Sequence, residues 1–316
     1  MTLARRARHA IGAVVRRATA PASPARLAES RLRLASASGA PEAQGGPWVF
    51  GCGACREAHF HMPLFADWCR QLGEAPRYHR KLWEFVYIAQ VLRERGALVA
   101  GARGVGFGVG MEPLVALFAS LGADVLATDL GSDAAIAAGW VASGQHAVSE
   151  LGALNARGLC DPATFAQRVR YRTVDMNAIP GDIRGYDFCW SSCACEHLGS
   201  IRRGADFVRR SLDVLRPGGI AVHTTELNLS SSTYTVRKGG TVLFRRRDLE
   251  SLAATLRDDG HYVPPMDFAT GSDPIERHVD VPPYAAEPHL RVGLPFRLRW
   301  FETTSIGMLA IKGAMA

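Results

Sequence analysis

Four groups of residues along the chain have the types and the order that handling a nucleotide-like ligand requires. The first is a glycine-rich turn, Gly106-Phe107-Gly108-Val109-Gly110. The second is Asp129, which closes the strand-like run Ala123–Thr128 and lies 21 residues past Gly108. The third is a second acidic strand end at Asp175, followed by Met176. The fourth is Leu215-Arg216-Pro217-Gly218-Gly219, which leads into an apolar strand. Glycines let a chain bend sharply and let a ligand approach the backbone closely. A carboxylate about 20 residues further on can accept ribose hydroxyls, although the same aspartate can also cap a helix.

The elements around these residues must place them at one edge of a sheet. Leu98–Ala100 and Gly104-Val105 lead into a buried strand, and Pro113 opens an apolar helix after the turn. Proline suits a first helical position, because its fixed φ is already helical and no N–H is missed there. Helix N–H groups then point at the ligand. Further strands are expected at 169–173, 187–191 and 220–225, with two last strands at 261–263 and 305–311. Helices are expected at 113–121, 133–150, 201–214 and 247–258. Strands alternating with helices predict an α/β fold, a doubly wound, mostly parallel seven-stranded sheet with helices on both faces.

Residues 97–227 resemble the class I S-adenosylmethionine-dependent methyltransferases. The resemblance rests on the glycine turn, on Tyr186–Ser192 followed by Glu196-His197-Leu198, on Val174–Asn177, and on the Pro217-Gly218-Gly219 turn. It implies S-adenosylmethionine as cofactor, with Gly106, Gly108, Gly110, Glu112, Asp129, Asp175, Met176 and Ser191 around it. The pattern departs from the family where an acidic residue would precede the core glycines, because Gly106 stands there, and Glu112 takes a third glycine's place. Glu112 either replaces the missing carboxylate for the cofactor's ammonium group or simply sits in a helix's first turn, where negative charge is favoured.

Methyl transfer to a hydroxyl needs a base for its proton, and histidine has a suitable pKa. His197, after the fourth strand, is one candidate, with a pocket wall as the alternative. His223, near the end of the fifth strand, is another, with Glu226 as its orienting partner. A divalent metal held by His223, Glu226 and Asp280 is a third idea, and no metal is expected on balance. His278 and His289 fall in a stretch with five prolines from Pro274 to Pro295 and are read as surface residues. That stretch, about 264–300, is expected to select the substrate.

Residues 82, 85, 86, 89 and 92 mark one apolar helix face within 55–96, so 48–98 is expected to form an N-terminal helical cap before a catalytic domain at 99–316. Trp83 and Tyr87 are assigned to core packing, with pocket lining as the alternative. Residues 1–47 hold eight arginines and two glutamates, +6 of the chain's +7, so residues 48–316 carry no basic excess and no nucleic-acid partner is expected. The basic tail reads as a disordered extension, with membrane-surface contact or targeting as alternatives. Ala10–Val15 is too short for a secretory core, and the seven cysteines read as ordinary thiols of a cytoplasmic protein, Cys52 and Cys55 having only half a zinc site's spacing. The Arg237-Lys238 and Arg245–Arg247 run could bind an anionic acceptor or form a solvated helix start. The lack of an Asn-Pro-Pro-Tyr type motif at 191–194 points away from nucleobase nitrogen. The expected activity is methyl transfer to a hydroxyl oxygen of a small molecule or saccharide. A non-catalytic scaffold of the same fold and a nicotinamide-dependent oxidoreductase are the alternatives.

Overall fold

The computed structural model describes residues 50–131, 151–284, 287–296 and 299–314. The basic tail and the helix expected at 133–150 lie outside the described residues.

The chain runs through β1 (Cys52–Ala54), α1 (Glu57–Phe60), α2 (Pro63–Gln71), α3 (Arg80–Glu94), β2 (Arg103–Phe107), α4 (Leu114–Ser120) and β3 (Asp124–Asp129). It continues with α5 (Pro162–Arg168), β4 (Val169–Thr173), β5 (Tyr186–Ser192), α6 (Ile201–Ser211), β6 (Leu215–Asn228) and α7 (Arg246–Asp258). The last elements are β7 (Met266–Asp267), α8 (Pro274–Arg277), β8 (Val279–Asp280), β9 (Arg291–Phe296) and β10 (Arg299–Ile311). Short 3-10 turns lie at Leu151–Asn155 and Cys195–His197.

All the strands join one sheet in the order β4-β3-β2-β5-β6-β10-β1-β7, with β9 on β10 and β8 on β9. β4 through β6 are parallel, and β10 lies antiparallel beside β6. The chain starts in the middle at β2, steps outward to β4, and returns to β5 on β2's other side. The doubly wound α/β architecture expected from the sequence is therefore present, with ten strands among the described residues instead of seven.

Alternation along β5 assigns the two faces. Phe188 and Trp190 pack edge-on against Phe118 of α4, whereas the Cys189 thiol meets the Ser211 carbonyl of α6. α3 covers the first face, over β5, β6 and β10. Its expected apolar face is buried, and Trp83 stacks on Tyr87 and His59 within the core. Arg80, Lys81 and Glu84 of the same helix are buried too.

Two differences stand out. Residues 261–263 form no strand; Tyr262 makes a single bridge to Ile311. The edge beside β10 is taken instead by β1, through Gly53 and Ala54 opposite Gly307 and Ile306. The segment expected only as a helical cap thus also supplies a strand to the main sheet. The proline-rich stretch is likewise built in, because β9 pairs with β10 over Arg291–Phe296.

Candidate active site

In an open doubly wound sheet, ligands bind beyond the carboxyl ends of the strands where the winding reverses, here between β2 and β5. The glycine turn stands at that point. Gly108 and Gly110 have φ of +61° and +50°, which other residues rarely adopt. A Cβ on Gly108 would lie 3.1 Å from both the Met176 sulfur and the Ala194 methyl, so the absent side chain leaves a cradle walled by those two residues. Asp129, at the end of β3, faces the turn. Its Oδ2 accepts the Gly110 N–H at 3.1 Å and its Oδ1 accepts the Leu130 N–H at 2.8 Å. Asp175 is exposed and closes a local turn onto the Asn177 N–H at 2.8 Å.

Gly106 has a different reason to be glycine. It lies inside β2, opposite Trp190 of β5, and a Cβ there would come within 2.5 Å of the indole. The indole N–H donates to the Glu112 carboxylate, which is buried beside the turn. Burial pushes the Glu112 carboxyl up to about 8. A tryptophan therefore fills the space where an acid at position 106 would project.

The other half of the site lies under the start of α3. Lys81 Nζ donates to Glu84 Oε2 at 2.6 Å and contacts the Ser192 carbonyl and hydroxyl at 3.4 Å. Glu84 also accepts from the hydroxyls of Ser192 and Ser305. The lysine and these hydrogen bonds outweigh burial and hold its carboxyl below the usual range. Arg80 is ion-paired to Glu226, whose charge holds the guanidinium pKa up despite burial. Glu196 accepts from the Thr225 hydroxyl at 3.1 Å, and burial, with Glu226 close by, pushes it up to about 8. Cys193 turns the chain here in a left-handed conformation, φ +48°.

The two histidines expected as base candidates differ. His223 lies between two serines. The Ser191 hydroxyl donates to its Nδ1 at 2.8 Å, and its Nε2–H donates to Ser211 Oγ at 2.9 Å, which in turn donates to the Val208 carbonyl. Burial drives its pKa to about 3. Alternation sends His223 to the α6 face while Thr224 and Glu226 point to the α3 face, so the expected pairing of His223 with Glu226 is not formed. The same placement rules out a metal shared by His223, Glu226 and Asp280, and it turns the Ser191 hydroxyl away from the cofactor edge. His197 donates from Nδ1 to the Gly240 carbonyl at 2.8 Å, and burial lowers it to about 4.

His289, read from the sequence as a surface residue, is buried, and Asp280, weighed there only as a metal ligand, is buried beside it; His289 Nδ1–H donates to Asp280 Oδ2 at 2.6 Å. The His289 backbone is clamped to α3's start, its N–H on the Tyr78 carbonyl and its C=O accepting from Arg80 N–H. Its ring stacks on His79 with centroids 4.4 Å apart. A histidine and an aspartate nine residues apart in a proline-rich stretch were the only signal available. Arg80, Lys81 and Glu84 were passed over for a similar reason, since a charged stripe on an amphipathic helix reads as its solvated side.

All seven cysteines are free, and among the described residues Cys52 and Cys55 join no group of metal-ligating side chains. Arg245 is buried and closes the start of α7 onto Asp248, while Arg246 and Arg247 are exposed. No helix among the described residues is long and apolar enough to cross a membrane. A groove lined by Arg95, Asp187, Arg216 and Gly218 sits at the amino ends of β5 and β6, away from all of these groups.

No family model and no curated protein matches the chain. Among solved structures it is similar to magnesium protoporphyrin IX methyltransferase from Synechocystis PCC 6803 with bound S-adenosylhomocysteine, at 11% identity and a TM-score of 0.43, over 81% of this chain and 97% of that one. It is similar to a glycopeptide N-methyltransferase at 14% identity and 0.41, over 71% and 94%. An S-adenosylmethionine-dependent methyltransferase from Mesorhizobium loti matches at 18% and 0.42, over 72% and 98%. At such identities no residue's role carries over.

Proposed function

We propose that the chain is an S-adenosylmethionine-dependent methyltransferase that acts on a hydroxyl oxygen of a small molecule or saccharide. The observation that carries this reading is the cradle at the winding reversal, where Gly108 has no side chain, Met176 and Ala194 form walls, and the Asp129 carboxylate faces the turn. Asp129 would accept the ribose hydroxyls, the backbone of Gly108 and Gly110 would lie along the cofactor, and Val174–Met176 would flank its base. Glu112 would supply the carboxylate for the ammonium group, which would draw it into its ionised form. When bound, the cofactor supplies an electrophilic methyl carbon whose bond to sulfur breaks as the acceptor's O–C bond forms, the electron pair staying on sulfur. The chain's own contribution is to hold the acceptor oxygen in line, keep water out and receive a proton. The buried polar groups under α3 supply surroundings for a polar acceptor.

Thermal unfolding with S-adenosylhomocysteine, S-adenosylmethionine or NAD tests this reading. A ligand at about 100 times its Kd adds roughly 2.7 kcal/mol, a shift of several degrees. The adenosyl ligands should give the shift and NAD should not. Asp129→Ala should weaken S-adenosylhomocysteine by roughly 1.5–3 kcal/mol, the worth of a hydrogen bond to a charged group. A shift with NAD alone would indicate an oxidoreductase, and no shift with any of them a non-catalytic scaffold.

A further inference from the structure

Among the described residues, six buried side-chain polar atoms have no hydrogen-bond partner, and five belong to one region: Arg80 Nη1, Glu196 Oε1, Glu226 Oε2, His289 Nε2 and Thr303 Oγ1. Carboxylate oxygens of Glu196 and Glu226 and the Cys193 sulfur lie within 4.8 Å of one another. Arg80 holds Glu226's other oxygen. Ser305 is the register partner of Glu226, and Thr303 stands two residues before it on the same face of β10. His289 is clamped against the start of α3 and senses the charges of Arg80 and Glu226. A stranded buried polar atom costs about 1–3 kcal/mol, and native interiors rarely leave one. Five together point to the polar groups of a ligand.

The atoms say which chemistry. His289 Nε2 is an acceptor, because the carboxylate of Asp280 assigns the ring proton to Nδ1. Glu226 Oε2 is an acceptor, Arg80 Nη1 is a donor, and the Thr303 hydroxyl and the Glu196 carboxyl can be either. Arg80 and Lys81 oppose Glu226 and Glu84, and the Asp280 carboxylate, facing a neutral histidine ring, adds one further negative charge. An anionic ligand would add to that negative charge in a buried place. Groups that both donate and accept, with no charge, match the set.

We propose that this region binds a neutral polyhydroxylated acceptor, a sugar ring, and that His289, oriented by Asp280, takes the proton of the hydroxyl being methylated. The proposal rests on the methyltransferase reading. As the O–C bond forms, the hydroxyl proton passes to Nε2, leaving an imidazolium whose charge faces Asp280. The groups around the ring are His79, Arg80, Glu226, Asp280 and Tyr284. Burial holds the ring neutral before the transfer, ready to accept.

Nitrogen NMR of the full chain labelled with 15N-histidine, saturated with S-adenosylhomocysteine, tests the proposal, with His289→Gln identifying the resonances. Methyl glycosides of glucose, galactose, mannose and rhamnose are the probes. Nε2 should be unprotonated, and at least one glycoside should shift it. The matching uronic acid should bind at least ~10-fold more weakly, about 1.4 kcal/mol. Asp280→Asn should move the proton to Nε2 and abolish the shift. With the responsive glycoside and S-adenosylmethionine, His289→Gln should lower methyl transfer by ~100-fold or more while S-adenosylhomocysteine affinity holds. A protonated Nε2, no shift with any glycoside, or a response to Zn²⁺ alone that Cys193→Ala removes would overturn the proposal, the last making the cluster a metal site. S-adenosylhomocysteine binding is read in the same samples. Its loss refutes the methyltransferase reading, and its persistence without a glycoside response refutes this proposal alone.

Discussion

His223 and His289 are both buried, both are held neutral by burial, and both flank the carboxyl half of β6. His223 spends both nitrogens on serines, and the chain of hydrogen bonds ends at the Val208 carbonyl. His289 spends one nitrogen on an aspartate and leaves the other without a partner. The first arrangement is finished by folding; the second is finished only when something binds. A buried histidine's chemistry is therefore settled by the accounting of its second nitrogen, and burial alone does not decide it. The same contrast separates the faces of β6. The α6 face is closed around His223, and the α3 face gathers charges and orphaned atoms around Glu84 and Glu226.

Breaking the α3 face should cost most. Glu84→Ala strands Lys81 together with the hydroxyls of Ser192 and Ser305, and loss of one partner of a buried ion pair costs about 3–5 kcal/mol, readable by urea unfolding. Breaking the α6 face should cost less. His223→Ala leaves the Ser191 hydroxyl without its acceptor while Ser211 keeps the Val208 carbonyl, about 1–3 kcal/mol, and methyl transfer per folded molecule should stay near wild type. A loss of turnover as large as that expected for His289→Gln would end the distinction between the two histidines.

The pH dependence sharpens the contrast. The folded pKa of His223 is depressed to about 3, so its stabilising contribution is present above about 6.5 and is lost as pH falls toward 3. The stability gap between wild type and His223→Gln should narrow by about 2 kcal/mol between pH 7 and pH 5. Glu112 has the opposite sign. Its folded pKa is raised to about 8, so its contribution is present below about 4.5 and is lost as pH rises toward 8. Glu112→Gln keeps an acceptor for the Trp190 indole and cannot ionise. It should gain about 3–4 kcal/mol over wild type at pH 8 relative to pH 5. A fall in S-adenosylhomocysteine affinity in the same variant would assign Glu112 to the ammonium group.

Legibility followed distance along the chain. The strand expected at 169–173 has those bounds, and the glycine turn, Asp129 and Met176 lie together, because each sits at or just past the end of a strand whose neighbours alternation defines. The strand expected at 261–263 shrinks to the bridge from Tyr262 to Ile311, and further along β10 its edge is taken by β1, three residues containing a glycine. So short a strand leaves no periodic pattern to detect. Arg80, Lys81 and Glu84 share a helix whose apolar face was plain; their burial depends on what β6 and β10 bring to meet them.

By itself the sequence determined the alternation of strands and helices, the glycine turn after a strand, and the carboxylates at the end of β3 and just past β4. Those are local properties, set by residue type and spacing within a few turns. Only the tertiary structure decided which buried polar groups complete one another. It turned His223 and Glu226 to opposite faces and used Trp190 to claim the space beside Gly106. It also brought Arg80, Glu196, Glu226 and His289 together from four segments of the chain. The physical reason is that a polar atom's need for a partner can be met from any point in the chain, so spacing along the chain cannot show which needs folding has met.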